Sequence, residues 1–238
     1  MVNRMVYATV FVGMAALFGT VLYWQVDVIH RGGPVMIPIV MCSVFSLEVI
    51  FERAYYFISL HLGKDVDAYL AGLREAVDRR QWKEAQALSE SWGGPLGRVS
   101  LAGLAARDAS PQEIDELMAE AAHDELPFVE RHLRWLSTLA QVSTLLGLLG
   151  TVTGLVRAFQ VIQAKSGASG NPVSPSDLAG GVWEALITTV AGLVVAIPTI
   201  VAYNYFASRV QDVQFQMEKA AAIVSGARRR RGQQHAAV

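Results

Sequence analysis

Apolar residues are concentrated in four stretches of the chain, each close to the length of a membrane-crossing helix. A helix needs about 20 apolar residues to cross the roughly 30 Å of hydrocarbon in a bilayer. The apolar runs occupy residues 5–27, 33–47, 135–156 and 185–208. The second run continues as a helix through Glu48, Glu52 and Arg53. This pattern predicts an all-α, polytopic membrane protein with long transmembrane helices.

Basic residues near the ends of these runs predict their orientation, because cytoplasmic loops of membrane proteins are enriched in Lys and Arg. Arg209, Lys219 and the arginine run at 228–231 follow the last apolar stretch, whereas residues 160–181 carry a single lysine. We therefore expect the C-terminal tail in the cytoplasm, residues 160–181 outside and residues 64–134 inside. The terminal arginines are expected to contact anionic lipid headgroups.

The first apolar run has two interpretations. A basic start at Arg4 followed by an apolar stretch is also typical of a secretory signal peptide. The run is longer than a typical signal core, and residues 22–26 contain no small-x-small cleavage site. These features favour a retained helix over a cleaved signal, and both interpretations leave Asp27 outside.

Charged residues are segregated along the chain. The sequence is 53% hydrophobic and 17% charged, which is too apolar for an ordinary soluble domain. Residues 64–134 nevertheless hold 14 of the 21 acidic and 9 of the 20 basic residues. This segment is predicted to be a cytoplasmic helical domain that packs its own small core. A partner-binding surface is the alternative.

A helix start is predicted inside this domain, at Ser110, Pro111 and Glu113. The serine hydroxyl can accept from a free N–H of the first turn, and proline fits the first helical position. We expect this helix to run into the apolar stretch at Trp135. A kink is expected at Pro127, because proline lacks the backbone donor.

After the last apolar run, hydrophobic residues alternate at spacings of four and three, which forms an apolar heptad seam. Its members are Phe206, Val210, Val213, Met217, Ala220 and Val224. The seam predicts packing between copies of this helix below the membrane. It could equally cover the cytoplasmic domain of the same chain.

Small residues line one face of each of the last two apolar runs. They are Ala140, Thr144, Gly147, Thr151, Gly154 and Ala158 in the first run, and Gly181, Ala185, Thr189, Gly192, Ala196 and Thr199 in the second. Gly150 adds a small-xxx-small pair with Gly154. Such faces let helices approach closely, so Gly147, Gly150, Gly154 and Gly192 are predicted at helix contacts. Spacing alone favours packing over a narrow polar passage.

Glu184 is the ionisable residue that begins the last run. About 19 to 21 residues, or roughly 30 Å of helix, separate it from the interfacial aromatics Tyr203 and Tyr205. The carboxylate is therefore expected at the outer edge of the hydrocarbon, where an ionisable group is a functional candidate. The alternative is a boundary residue that reaches the headgroups or pairs with Arg157.

Catalytic and metal-binding motifs are missing from the sequence. Cys42 is the single cysteine, and the five histidines form no HExxH or paired-ligand pattern. Neither a nucleophile elbow nor a phosphate-binding glycine loop occurs. We therefore expect that the protein is not an enzyme and that it binds no cofactor, metal ion or nucleic acid.

Two long motifs resemble a known family. Residues 145–155, LLGLLGTVTGL, and residues 184–204, EALITTVAGLVVAIPTIVAYN, are similar to the paired signature of the MotA/TolQ/ExbB proton-channel family, in its ExbB/TolQ-like branch. Gly33 with Pro38 and the Glu52-Arg53 pair support the resemblance, which covers residues 32–222. The two motifs stand in the family order with a short loop between them.

The resemblance implies a pentamer in the bacterial cytoplasmic membrane whose last two spans line a central pore. The pore would enclose a small ExbD/TolR-like single-span partner whose aspartate carries the proton. The family's pore threonines fall on Thr151 and Thr189, and its pore glutamate falls on Glu184. The implied function is a stator that energises a TonB-like protein for outer-membrane transport. A TolQ-like envelope role, a motility stator or a non-conducting scaffold remain alternatives.

Three features depart from the family pattern. Thr144 stands where many relatives carry proline, Pro127 interrupts a helix that is usually continuous, and the N-terminal span is additional.

The apolar runs and the charge pattern together divide the sequence into residues 1–31, an apolar helix and short external segment; 32–58, a transmembrane helix; 59–134, the cytoplasmic helical domain; 135–159 and 182–207, pore-lining transmembrane helices; 160–181, a periplasmic loop; and 208–238, a cytoplasmic helix and basic tail.

Overall fold

The computed structural model describes residues 32–61, 65–168 and 174–236, and these residues form helices without strands. The helices are α1 (Met36–His61), α2 (Val66–Asp78), α3 (Trp82–Trp92), α4 (Gly94–Ala105), α5 (Pro111–Val129), α6 (Leu133–Ala168) and α7 (Pro175–Ala236). The predicted all-α class is confirmed. The first apolar run, with the choice between a retained helix and a signal peptide, lies outside the described residues.

Two of the described helices contain stretches long and apolar enough to cross a membrane. They are Leu133–Lys165 in α6 and Leu178–Ala227 in α7, the helices predicted from the third and fourth apolar runs. Helix α1 has 26 residues but carries Glu48, Glu52 and Arg53, and it is not among these two. Both long helices extend well beyond the uncharged runs, and their polar ends are helical as well.

The described residues fall into two compact units, and α1, α6 and α7 each contribute residues to both units. The first unit contains the beginning of α1, most of α6 and the first half of α7. Met36, Ile39 and Cys42 of α1 form its apolar core with Val195 of α7, and Leu139 and Leu146 of α6 pack against them. Helix α1 therefore packs against both long helices in this unit.

The second unit contains α2 to α5, the rest of α1, the start of α6 and the second half of α7. Its core joins residues of the short helices, such as Leu73, Val99 and Met118, to the α7 seam. All six seam residues are buried within this single chain. The seam therefore covers the helical domain of its own chain, and the prediction that copies of this helix pack together along it is wrong.

Helix α5 begins as predicted, but it does not run into α6. Ser110 is the N-cap, and its hydroxyl accepts a hydrogen bond from the backbone N–H of Glu113 at 3.2 Å. Pro127 lies inside α5, and the helix ends at Val129. His132 then adopts a left-handed backbone with φ of 64° before α6 starts. The prediction of one continuous helix kinked at Pro127 is wrong.

Long-range contacts from α1 hold this junction. Arg53 is 3% exposed, and its Nη1 donates to the carbonyl oxygens of Phe128 at 3.4 Å and Val129 at 3.5 Å. Its Nη2 donates to Glu52 at 2.9 Å, and the second Glu52 oxygen contacts His132 Nδ1 at 2.6 Å. The end of α5 is thus stabilised by a residue more than seventy positions earlier.

The connection between the two long helices is shorter than the sequence predicts. Helix α6 continues to Ala168 and α7 begins at Pro175, so much of the predicted loop at 160–181 is helical. The arginine run at 228–231 belongs to the backbone of α7. The side chains of this run are outside the described part of the chain, so their contact with lipid headgroups stays a prediction.

Candidate functional site

Helices α6 and α7 pack closely in the first unit because glycines leave no side chain between them. A Cβ on Gly192 would lie 2.6 Å from the carbonyl oxygen of Ser143, and one on Gly154 would lie 2.8 Å from both the Cβ and the backbone nitrogen of Ala185. A Cβ on Gly150 would overlap the side chain of Thr188. Backbone or a buried side chain fills each of these spaces, so larger residues would separate the helices.

The contact face of α6 differs slightly from the predicted one. Its buried members are Ala140, Ser143, Gly147, Gly150, Gly154 and Ala158. Thr144 is exposed and Thr151 is partly buried, so these two lie at the edge of the face. The Thr151 hydroxyl donates to the carbonyl oxygen of Leu148 in its own helix at 2.6 Å.

Two neighbouring threonines on α7 have different hydrogen-bond partners. Thr188 is fully buried, and its hydroxyl donates to the carbonyl oxygens of Glu184 and Ala185 in its own helix at 2.9 Å. The hydroxyl of Thr189, which is partly buried, donates to the carbonyl oxygen of Gly147 on α6 at 3.0 Å. Sequence reasoning missed Thr188, although it lies three positions after Ala185 and therefore shares a helix face with it.

Glu184 forms an ion pair with Arg157, so the last two apolar helices meet through opposite charges at this end. The Glu184 side chain is 18% exposed and that of Arg157 is 44% exposed. The predicted alternative, in which Glu184 pairs with Arg157, is the arrangement that the structure contains. Thr189 follows Glu184 by five positions on α7, and Thr151 lies six positions before Arg157 on α6.

Gly33, just before α1, is the third component of this site. Its backbone has φ of 68°, a conformation that favours glycine. A Cβ at this position would overlap Oε1 of Glu184 and lie 2.8 Å from Nη1 of Arg157. The first unit thus brings Gly33, Arg157 and Glu184 together from three separate parts of the sequence, a cluster that the linear motifs did not predict.

Among the described residues, no group of three or more His, Cys, Asp or Glu side chains is arranged to hold a metal ion. The ionisable cluster of the first unit instead combines one acid with one base. Both side chains can form hydrogen bonds with water. The hydroxyls of Thr151 and Thr189 are further polar groups along the two helices.

Residues 91–219 match the model of the MotA/TolQ/ExbB proton channel family. A Synechocystis sp. protein described as "putative biopolymer transport protein ExbB-like 1" is 34% identical over 186 residues, which cover 76% of this chain and 70% of that protein. The "Tol-Pal system protein TolQ" of Haemophilus influenzae is 37% identical over 94 residues, which cover 40% of this chain and 39% of that protein.

A solved structure has the same fold. The structure of C. jejuni MotAB aligns with a TM-score of 0.58 and 15% sequence identity over 93% of this chain and 89% of the matched chain. At this identity the likeness concerns the fold alone. It agrees with an all-α membrane protein with two long apolar helices.

Proposed function

The chain belongs to the MotA/TolQ/ExbB proton channel family, and we propose that it is the proton-channel subunit of an inner-membrane motor. In this proposal, inward proton flow drives movement of a partner that reaches the periplasm. The leading form is ExbB-like energising of TonB-dependent outer-membrane transport. The chain would be a multi-pass protein of the bacterial cytoplasmic membrane, with α6 and α7 lining the pore of a homo-oligomer, by family resemblance a pentamer.

The observation that carries the proposal is the polar content of the α6 and α7 pair. An ionisable group, Glu184, lies at one end, and the hydroxyls of Thr151 and Thr189 follow along the two helices. Residues 185–208 and 135–156 are otherwise uncharged. A carboxylate at the outer edge with hydroxyls farther in suits proton entry, because hydroxyls both donate and accept hydrogen bonds.

The same residues explain why a partner is needed. A hydroxyl can pass a hydrogen bond but cannot hold a charge at neutral pH. Between Glu184 and the cytoplasmic end of α7 the chain offers no second carboxylate in the apolar stretch. We therefore infer that a small single-span ExbD/TolR-like protein inserts an aspartate into the pore.

The energy available from each proton follows from the membrane potential. One elementary charge that crosses 100 mV releases about 2.3 kcal/mol. A ring of identical subunits around one partner would accept such steps in sequence.

A TolQ-like envelope role is the second candidate, because TolQ proteins are among the relatives that match this chain. Replacing the chain in a strain that lacks its own ExbB or its own TolQ separates the two roles. Restored uptake through TonB-dependent receptors supports the first, and restored outer-membrane integrity supports the second.

Proton flux tests the common core of both roles. The full chain and its single-span partner are reconstituted into liposomes, and uptake is followed with an internal pH dye under an imposed potential. Glu184→Gln keeps the shape of the side chain, so the complex should assemble while uptake falls by at least about tenfold, as expected for a lost proton-transfer group. The matched control is Glu218→Gln, which changes an exposed residue of the same helix.

Unchanged uptake in Glu184→Gln would assign this residue a boundary role only. A wild-type complex that assembles with its partner and conducts no protons would contradict the proposed function and support a non-conducting scaffold.

A further inference from the structure

We propose that Arg157 is an ion-selectivity residue, which excludes metal cations from the outer mouth of the pore by pairing with Glu184. This inference rests on the proposed function, because it concerns which ion the pore accepts. Its physical basis is the ion pair between α6 and α7, which neutralises the acid at the entrance.

The charges of this region are few, so each one matters for an approaching ion. Between residues 135 and 208 the sequence contains the bases Arg157 and Lys165 and the acids Asp177 and Glu184. Arg157 is the base whose guanidinium contacts the Glu184 carboxylate. A guanidinium remains charged at any physiological pH, so the pair brings no net charge to the mouth.

Three parts of the chain fix the pair in place. The backbone of Gly33 lies close to the side chains of Arg157 and Glu184, and a Cβ at this position would overlap the Glu184 carboxylate. The neighbouring Met36 N–H donates to the carbonyl oxygen of Gly33 at 3.1 Å, which closes the turn that starts α1. The carboxylate is therefore held against Arg157 by backbone as well as by charge.

A bare ring of carboxylates at a channel mouth would attract metal cations, as acidic rings do in cation channels. Here one oxygen of each Glu184 is occupied by a guanidinium, and the positive charge of Arg157 repels a second cation. At this pair a sodium ion would meet no net negative charge and a carboxylate with one oxygen already paired. A proton needs no such ligand set, because it moves by exchange along hydrogen bonds.

Arg157→Gln tests the inference because it removes the positive charge and leaves Glu184 bare. The full chain with its single-span partner is reconstituted into liposomes that contain a pH dye and a sodium dye, and both uptakes are measured under the same potential. In the wild-type complex we expect proton uptake without sodium uptake. In Arg157→Gln the ratio of sodium to proton uptake should rise by roughly tenfold or more, since the unpaired carboxylates then attract metal cations.

Three further variants identify the cause. Arg157→Lys keeps the charge and should keep sodium out. Arg157→Gln combined with Glu184→Gln leaves no carboxylate, so it should admit no sodium. The matched control is Arg79→Gln. It removes the exposed arginine that follows α2 as its C-cap and pairs with Glu75, and it should leave both uptakes unchanged.

The result that overturns the inference is proton uptake in Arg157→Gln with no sodium uptake, while the wild type conducts normally. Absence of proton uptake in the wild type would instead contradict the proposed function. If rings made only of Arg157→Gln subunits fail to assemble, mixed rings with wild-type subunits replace them. Sodium uptake should then rise with the variant fraction, and sodium uptake that stays at the wild-type level would also overturn the inference.

Discussion

Thr188 and Thr189 are adjacent on α7, but only one of their hydroxyls reaches the other long helix. Thr189 donates to Gly147 of α6, whereas Thr188 donates to carbonyls of its own helix. Interhelical hydrogen bonds in membranes contribute on average only about 0.6 kcal/mol. Losing one such bond should therefore alter assembly little, which allows a test of function separate from stability.

We predict that Thr151→Val combined with Thr189→Val gives an assembled complex that no longer conducts protons. Valine is nearly isosteric with threonine, so packing is preserved while both hydroxyls are lost. Proton uptake in liposomes measures the effect, and gel filtration checks assembly. Thr188→Val is the matched control, because Thr188 is fully buried whereas Thr151 and Thr189 are partly exposed, so the loss of its hydroxyl should leave uptake normal. Full uptake in the double variant would remove both threonines from the proton path.

A second prediction concerns Gly192. In Gly192→Ala the new Cβ would lie 2.6 Å from the Ser143 carbonyl oxygen and 3.0 Å from the Cα of Gly147. Backbone atoms cannot move aside cheaply, so α6 and α7 must separate, and we expect a loss of about 1 to 3 kcal/mol. Thermal unfolding in detergent measures it. Gly180→Ala is the control on the same helix, since a Cβ there meets no atom within 4 Å. Equal stability of the two variants would contradict the close packing.

The sequence predicted most of this helix contact but not its register. Small residues at spacings of three and four identified the glycines, because that periodicity follows from helix geometry alone. Positions three and four after Ala185 share its face, so Thr188 and Thr189 were equally compatible. The choice depends on how the partner helix is rotated. The contact of Gly33 with Glu184 and Arg157 could not be predicted from sequence, since these residues lie more than a hundred positions away.

At the level of helices, the junction between α5 and α6 illustrates a similar limit. The cap at Ser110 was predictable because its signals are local. The end of α5 was not, because Arg53 of α1 binds the carbonyls of Phe128 and Val129 across a long sequence separation. For the seam on α7, the heptad spacing correctly predicted a buried stripe, but spacing cannot reveal whether the covering surface belongs to the same chain.

We predict that Arg53→Met destabilises this junction. The substitution retains an apolar stem but leaves two helix-terminal carbonyls and Glu52 without their charged donor. Arg53 is buried, so the expected loss is on the order of 2 kcal/mol, less than for a fully enclosed pair because Glu52 keeps His132. Hydrogen exchange of the last turn of α5 should become faster. Arg79→Met, at an exposed position of the same unit, should not change it, and unchanged exchange in Arg53→Met would contradict a stabilising role.

At the scale of the whole molecule, the two long helices expose large apolar side chains that a single chain does not cover. On α6 they include Leu145, Leu148, Val152, Leu155 and Phe159, and on α7 they include Trp183, Leu186, Val190, Val194, Ile197 and Val201. Exposed apolar surface of this extent marks contact with lipid or with other helices. Both are expected for a family of membrane proton channels, and the seam on α7 is no longer available for contacts between copies because its own chain covers it.

The last prediction is that the chain assembles alone but conducts only with its partner. The exposed faces of α6 and α7 should drive a closed ring of identical chains, a pentamer if the family resemblance holds, which native mass spectrometry in several mild detergents can count. Conduction is different, because the apolar stretches that follow Glu184 on α7 and precede Arg157 on α6 supply hydroxyls but no second carboxylate. Liposomes containing the chain alone should therefore take up protons no faster than empty ones, and adding a single-span partner with its aspartate should start uptake. A partner with that aspartate replaced by asparagine is the matched control, since it should bind the ring without restoring flux. Rapid uptake by the chain alone would show that it carries its own complete proton path, and a stable monomer in every detergent would remove the ring on which the pore depends.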